Sequence, residues 1–192
     1  RTQNTSWYNE TLNTSIRGAR KEFPSVAVIV TEARQVIIYD GDDPNMSMWM
    51  VFDVGGSNAF MTMLNRGSND IASVEALNGV MGVGALNQNN HSGGLRKFNF
   101  IADYCYIHDN ISTYTGFHKG GGIANRNSQV GNTPNASGLI VARNVNDVAM
   151  TVLPNAPIDA DTGLPVPTIA LATDGGVSVI KDDGSVVDIT HT

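Results

Sequence analysis

The residues able to do chemistry in this chain are clustered aspartates, scattered histidines, one cysteine and a set of aromatic rings. Asp40, Asp42 and Asp43 crowd carboxylates into six residues, Y-D-G-D-D-P, enough to hold calcium or to act as acid and base. An EF-hand loop also needs a glycine at its sixth position and a distal glutamate. Neither is present, and the segment reads as a tight turn. Asp174, Asp182 and Asp183 stand beside glycines; paired carboxylates hydrolyse glycosides, but Asp next to Gly is ordinary turn chemistry. The run Gly116–Gly122 (G-F-H-K-G-G-G) is not a phosphate cradle. In a P-loop the lysine follows the glycines, precedes Ser or Thr and opens a helix, whereas Lys119 precedes its glycines. It reads as a loop.

Cys105 and His108 form a lone C-x-x-H, while His91, His118 and His191 are dispersed. A structural zinc site needs four ligands, so Cys105 and Tyr106 read as strand core. No G-x-S-x-G occurs, no Ser–His–Asp set stands out, and no cofactor motif is present. Catalytic, metal and cofactor residues are therefore expected to be none. Amphipathic rings can face a sugar while staying wet, which makes Trp7, Tyr8, Tyr104, Tyr106 and Tyr114 candidates for glycan stacking. Trp49 reads as core; for the other five, core and sugar-facing readings both stand open. The triplets at Asn4, Asn9 and Asn13 fit N-x-[ST], a pattern of little weight without a secretory signal.

The elements that must position these residues are strands. Ser25–Thr31 and Gln35–Asp40 are β-branched runs around Glu32-Ala33-Arg34, and Met46–Phe52 follows as a third strand. Their near-continuous apolar character implies burial on both faces. Ile71–Leu77 leads through Asn78-Gly79 into Val80–Leu86; a type I′ hairpin turn needs positive φ at both central positions, which Asn-Gly tolerates. Leu95–Ala102 alternates, with Phe98 and Phe100 on one face. Gly116–Gly138 reads as a long loop, and Asn144–Leu153 as a strand. Thr168–Thr173, Val177–Lys181 and Ser185–Thr190 close the chain as hairpins turning at Asp174-Gly175-Gly176 and Asp182-Asp183-Gly184. Residues 1–24 are a lead-in: Trp7, Leu12, Ile16 and Ala19 share a helical spacing, Gly18 weakens it and Pro24 ends it. A short helix and an extended segment are equally open there.

The hairpin turns centre near residues 33, 78 and 175, at intervals of about 45 and about twice 48, and a propeller blade spans about 40–50 residues. A fourth copy would centre near Asn125-Arg126-Asn127, where the sequence is loop-like, through degeneration or insertion. The expectation is an all-β fold of repeated hairpins or meander blades over 25–192, β-propeller-like and incomplete in this chain. A closed propeller needs about four to eight blades, so more chain or neighbouring subunits should finish it.

Composition narrows the partners. The 192 residues are 41% apolar and only 16% charged, with net charge −6. Asn, Ser, Thr and Gly must cover the surface instead, which suits large assemblies and glycan contact. Nucleic-acid binding needs clustered Lys and Arg; only Arg17, Arg20 and Lys21 cluster, so no nucleic-acid partner is expected. A single cysteine forms no intrachain disulfide. The apolar stretches fall far short of the roughly 20 residues of a spanning helix, so no membrane insertion is expected. The chain starts at Arg1 without an initiator Met or a signal peptide and is expected to be a segment of something longer.

Several phrases carry a resemblance. R-G-A-R-K-E-F-P-S-V-A-V-I-V at Arg17–Val30, Y-D-G-D-D-P at Tyr39–Pro44 and M-W-M-V-F at Met48–Phe52 resemble tail-fibre-like proteins of aquatic bacteriophages. So do V-N-D-V-A-M-T-V-L-P-N-A-P-I-D at Val145–Asp159 and T-I-A-L-A-T-D-G-G-V-S-V-I-K-D-D-G at Thr168–Gly184. The resemblance covers most of the chain outside residues 110–138 and transfers no catalytic residue. It implies a virion location and a structural role in a tail fibre or adaptor, contributing to host adsorption. The implied partners are other virion tail proteins, copies of the same chain in a homo-oligomer, and a host-surface glycan. The alternatives are a cellular propeller scaffold and a glycan-degrading tail depolymerase. A scaffold should show a complete blade count, and an enzyme convergent carboxylates or histidines away from turns; the sequence shows neither.

Overall fold

The computed structural model describes residues 2–32, 34–54, 62–64, 70–87, 93–160 and 162–190. The fold is all-β: among these residues three antiparallel meander sheets form, with no α-helix. The first sheet is β1 (Ala27–Glu32), β2 (Gln35–Asp40) and β3 (Met48–Asp53). The second is β4 (Ile71–Leu77), β5 (Val80–Ala85), β6 (Gly94–Asn99), β7 (Tyr104–His108), β8 (Gly116–His118) and β9 (Asn132–Pro134). The third is β10 (Val145–Thr151), β11 (Thr168–Thr173), β12 (Gly176–Ile180) and β13 (Val186–Ile189).

Turn chemistry sets the registers. Leu77 pairs with Val80 across Asn78-Gly79, whose φ values of 51° and 78° are those of the expected type I′ turn. Glu32 pairs with Gln35 and Thr173 with Gly176, so the other two hairpins also close where the sequence places them; Ala33 itself lies outside the described residues.

The second sheet is the middle layer. One of its faces, with Met81, Val83, Phe98, Cys105 and Ile107, packs on Val36, Ile38, Met50 and Phe52 of the first sheet, around Trp7 and Trp49. Its opposite face gives Val80 and Leu95 to a second core with Val148, Met150, Ile169, Leu171 and Ile180 of the third sheet. Glycine makes that second contact possible. A Cβ on Gly82 would sit 2.8 Å from Met150 Cε, and one on Gly84 2.8 Å from Val145 Cγ1, so the bare backbone lets the third sheet approach. Side chains of β4 also serve the edge of β10: Ser73 Oγ accepts from Val148 N and Glu75 from Met150 N at 2.7 Å.

Three points decide between the expectations or depart from them. The lead-in forms no α-helix: it makes two single 3-10 turns, Thr2–Asn4 and Trp7–Asn9, then turns at residues 13–18 and meets β3 through an isolated bridge between Arg17 and Met50. This covers an otherwise open edge. The segment expected as a loop contains β8 and β9, which widen the second sheet to six strands. Between them a 3-10 turn at Ile123–Asn125 and the buried Arg126 occupy the place of a fourth hairpin. The third point concerns burial. In β1, the inward Ala27 and Ile29 alternate with Val28 and Val30, which are 40% and 39% exposed. The sequence is apolar on both faces of this sheet; among the described residues the inner face is covered throughout, and the outer one over β3, where Val51 is buried, but less over β1.

Candidate functional site

β7 is the strand on which the sequence candidates converge. Its side chains alternate, so Cys105 and Ile107 enter the first core while Tyr104, Tyr106 and His108 point to the opposite face. There Lys97 pairs with Tyr106, Asn99 with Tyr104, and Phe117 of β8 with Tyr106. The ring of Phe117 stands 5.3 Å from Tyr104 and 4.8 Å from Tyr106, edge-on to both. Phe117 is 48% exposed, and Tyr104 and Tyr106 are half-buried. The result is a three-ring surface beside the third sheet.

The polar frame of this surface is fixed. The Tyr106 hydroxyl donates to the Ser137 carbonyl. His108 is buried, its Nδ1 2.8 Å from the Gly138 carbonyl; that contact requires the proton on Nδ1. Burial holds its pKa down to about 4, so the ring is neutral. Lys97 is half-buried, and its pKa is lowered by desolvation. Among the described residues no carboxylate forms an ion pair with it. Asp159 lies near Tyr104 and helps to raise the phenol's pKa, behind burial as the main cause; its Oδ1 accepts from Thr162 N at 2.8 Å.

The other aromatic candidates do not join this surface. Trp7 is a correction: it is fully buried, its Nε1 donates to the Phe100 carbonyl at 2.7 Å, and its ring meets Trp49 and Phe23 edge-on. No sugar reaches it. Tyr8 and Tyr114 are half-buried against the first core, with Lys21 Nζ 4.6 Å and the Arg143 guanidinium 5.1 Å from their ring centroids. Trp49 is core, as expected. Phe117 was missed because its glycine-rich surroundings read as a loop. The only signal was alternation in G-F-H, too short to define a strand.

Most of the remaining candidates have hydrogen-bond partners within the fold. Arg20 bonds both Asp40 and Asp42, and Asp42 also accepts from Ser25 N and Oγ. These bonds, those of Ser25 first, hold the Asp42 carboxyl down to about 2. Asp174 accepts from Asn144 and Asn146, and Asp183 from Ser185. The amides of the glycine loop are also engaged: Gly120 N donates to His118 Nδ1, Ile123 N to Asp103 and Ala124 N to Ser6 Oγ. Cys105 and His108 point to opposite faces of β7, so one ion cannot meet both. Burial pushes the Cys105 thiol up to about 12. Among the described residues no group of three or more His, Cys, Asp or Glu could hold a metal ion; His91 and His191 lie outside them.

The sequence also gave no hint of a buried ionic lock. Glu10 receives Arg126 Nη1 at 2.7 Å and lies 3.6 Å from Arg17 Nε. Arg126 further donates to the carbonyls of Val51 and Ile16, and Arg17 to that of Trp49. The lead-in is thereby tied to β3 and to the 123–127 segment.

The fold and site together define the class: an all-β chain of three stacked meander sheets with an aromatic surface on its middle layer. The chain matches no family model, no curated protein and no solved structure at a significant level.

Proposed function

We propose that this chain is a structural module of a bacteriophage virion tail, a fibre or adaptor, which assembles with copies of itself and contacts host-surface glycan. The observation that carries the reading is a pair of apolar outer sheet faces, at the two ends of the stack, that stay partly exposed among the described residues. On the first sheet, Val28 and Val30 line the outer face beside the half-buried Ile37 and Tyr39. On the third, Val187 and Ile189, 43% and 59% exposed, lie across from Val179 and Val177, next to Ala170 and Ala172.

Flat apolar faces of this kind mark association surfaces. Inside the chain the first sheet packs on the second and the second on the third. Repeating that step places the first sheet of the next copy on the third sheet of this one. Such a head-to-tail contact closes into a ring or extends as a filament, the geometries a tail requires. The charge-poor surface and the tail-fibre resemblance support the same reading. The three-ring surface at Tyr104, Tyr106 and Phe117 supports the glycan contact.

Antibody labelling and peptide mass spectrometry of purified particles, taken from the lysate in which the chain is made, test the assignment. Label on the tail, with peptides of this chain co-sedimenting with virions, is expected. A chain confined to the soluble cell fraction overturns it.

A further inference from the structure

The ligand class of the three-ring surface follows from the group set beside it. Aromatic faces receive the C–H face of a pyranose, neutral or charged, and do not choose between them. Lys97 adds the choice. It stands across from Tyr106 on the neighbouring strand, and side chains so paired lie about 5 Å apart at Cβ. Lys97 is half-buried, with the third sheet packed over the adjoining Gly82. The described ion pairs leave its ammonium without a carboxylate, whereas Arg17, Arg20, Arg126 and Arg143 each have at least one. A desolvated, unpaired cation is costly, and an anion that completes it is bound in consequence. The neighbouring His108 is neutral and donates to Gly138, so it competes for no anion. At the other end, Asp159 lies beside Tyr104 and places negative charge there. The surface is thus polarised, positive near Tyr106 and negative near Tyr104.

We propose that Tyr104, Tyr106 and Phe117 bind an acidic sugar unit, with its ring stacked on the aromatic side chains and its carboxylate paired with the Lys97 ammonium. This rests on the glycan reading above and adds the class of glycan. One cation on a chain of net charge −6 suits an isolated sugar carboxylate and repels a closely charged phosphate polymer.

Calorimetric titration of the purified chain tests it with matched probes: sialyllactose against lactose, a hyaluronan hexasaccharide against its methyl ester, and a single-stranded oligonucleotide. The acid of at least one pair is expected to bind about 10-fold or more tighter than its neutral partner, as one charge-assisted hydrogen bond provides. Lys97→Met keeps the stem and removes the charge, and should bring both partners to the same affinity. Phe117→Ala, at an exposed position, should weaken both, with each variant's far-UV spectrum and Tm checked against the parent. Equal binding of acid and neutral forms, or acid preference surviving Lys97→Met, overturns the acidic class and leaves the glycan reading standing. An oligonucleotide bound more tightly than any acidic sugar also overturns it. Binding of no sugar ends both readings.

Discussion

Tyr106 and Phe117 meet edge to face across β7 and β8, their ring centroids 4.8 Å apart and their planes at 89°. The pair exists because a segment with the composition of a loop adds a strand. Phe117 pairs with Tyr106 on one side and with Thr133 on the other, so its backbone is held between two strands while its ring stays open to solvent.

The approach of the third sheet depends on two missing side chains. Gly84→Val would place branched carbon against Val145 and Val148, where a Cβ alone would sit 2.8 Å and 3.1 Å away. Overpacking of this kind costs about 1–3 kcal/mol. Urea unfolding should show a loss in that range, and hydrogen exchange should locate the loosening in β10 and β11. Unchanged protection there would contradict the packing described.

Among the described residues Glu10 is the carboxylate that forms ion pairs with both Arg17 and Arg126. Glu10→Ala leaves two buried guanidinium groups without it, and breaking a buried pair costs about 3–5 kcal/mol. Equilibrium denaturation should report a loss of this order. A change under about 1 kcal/mol would show that the lock is a surface ion pair in energetic terms.

The neutral His108 gives a pH signature. Its folded pKa of about 4 lies below the ordinary 6.5, so between these values the unfolded chain binds more protons. Stability is then full above pH 6.5 and falls as pH drops towards 4, by an amount on the order of 3 kcal/mol. His108→Asn keeps a donor for Gly138 and has no proton to gain. Denaturation midpoints of parent and variant should diverge across that window; parallel curves would mean the ring is solvated.

The strands were largely legible because β-branched runs and Asn-Gly or Asp-Gly turns are local signals. Asn78-Gly79 fixed its hairpin without help from the rest of the chain. The layer order was not legible, although V-M-G-V-G-A holds a trace of it: glycines two apart face the same side, and a strand with no side chains there has something packed close. The burial of Trp7 and of Arg126 was hidden, since each is held by partners about a hundred residues away, Phe100 and Glu10. The site was half legible. Tyr104 and Tyr106 carried their own signal, but Phe117 and Lys97 joined them only through strand pairing.

What covers the outer faces of the first and third sheets decides how the chain assembles. Light scattering on size-fractionated protein, with Val28→Asp/Val30→Lys on one face and Val187→Asp/Ile189→Lys on the other, addresses this directly. The parent chain should form a defined multimer, each variant alone a monomer, and the two variants mixed a one-to-one dimer through the single intact pair of faces. A monomeric parent, or a first-sheet variant that still dimerises with itself, would contradict head-to-tail assembly.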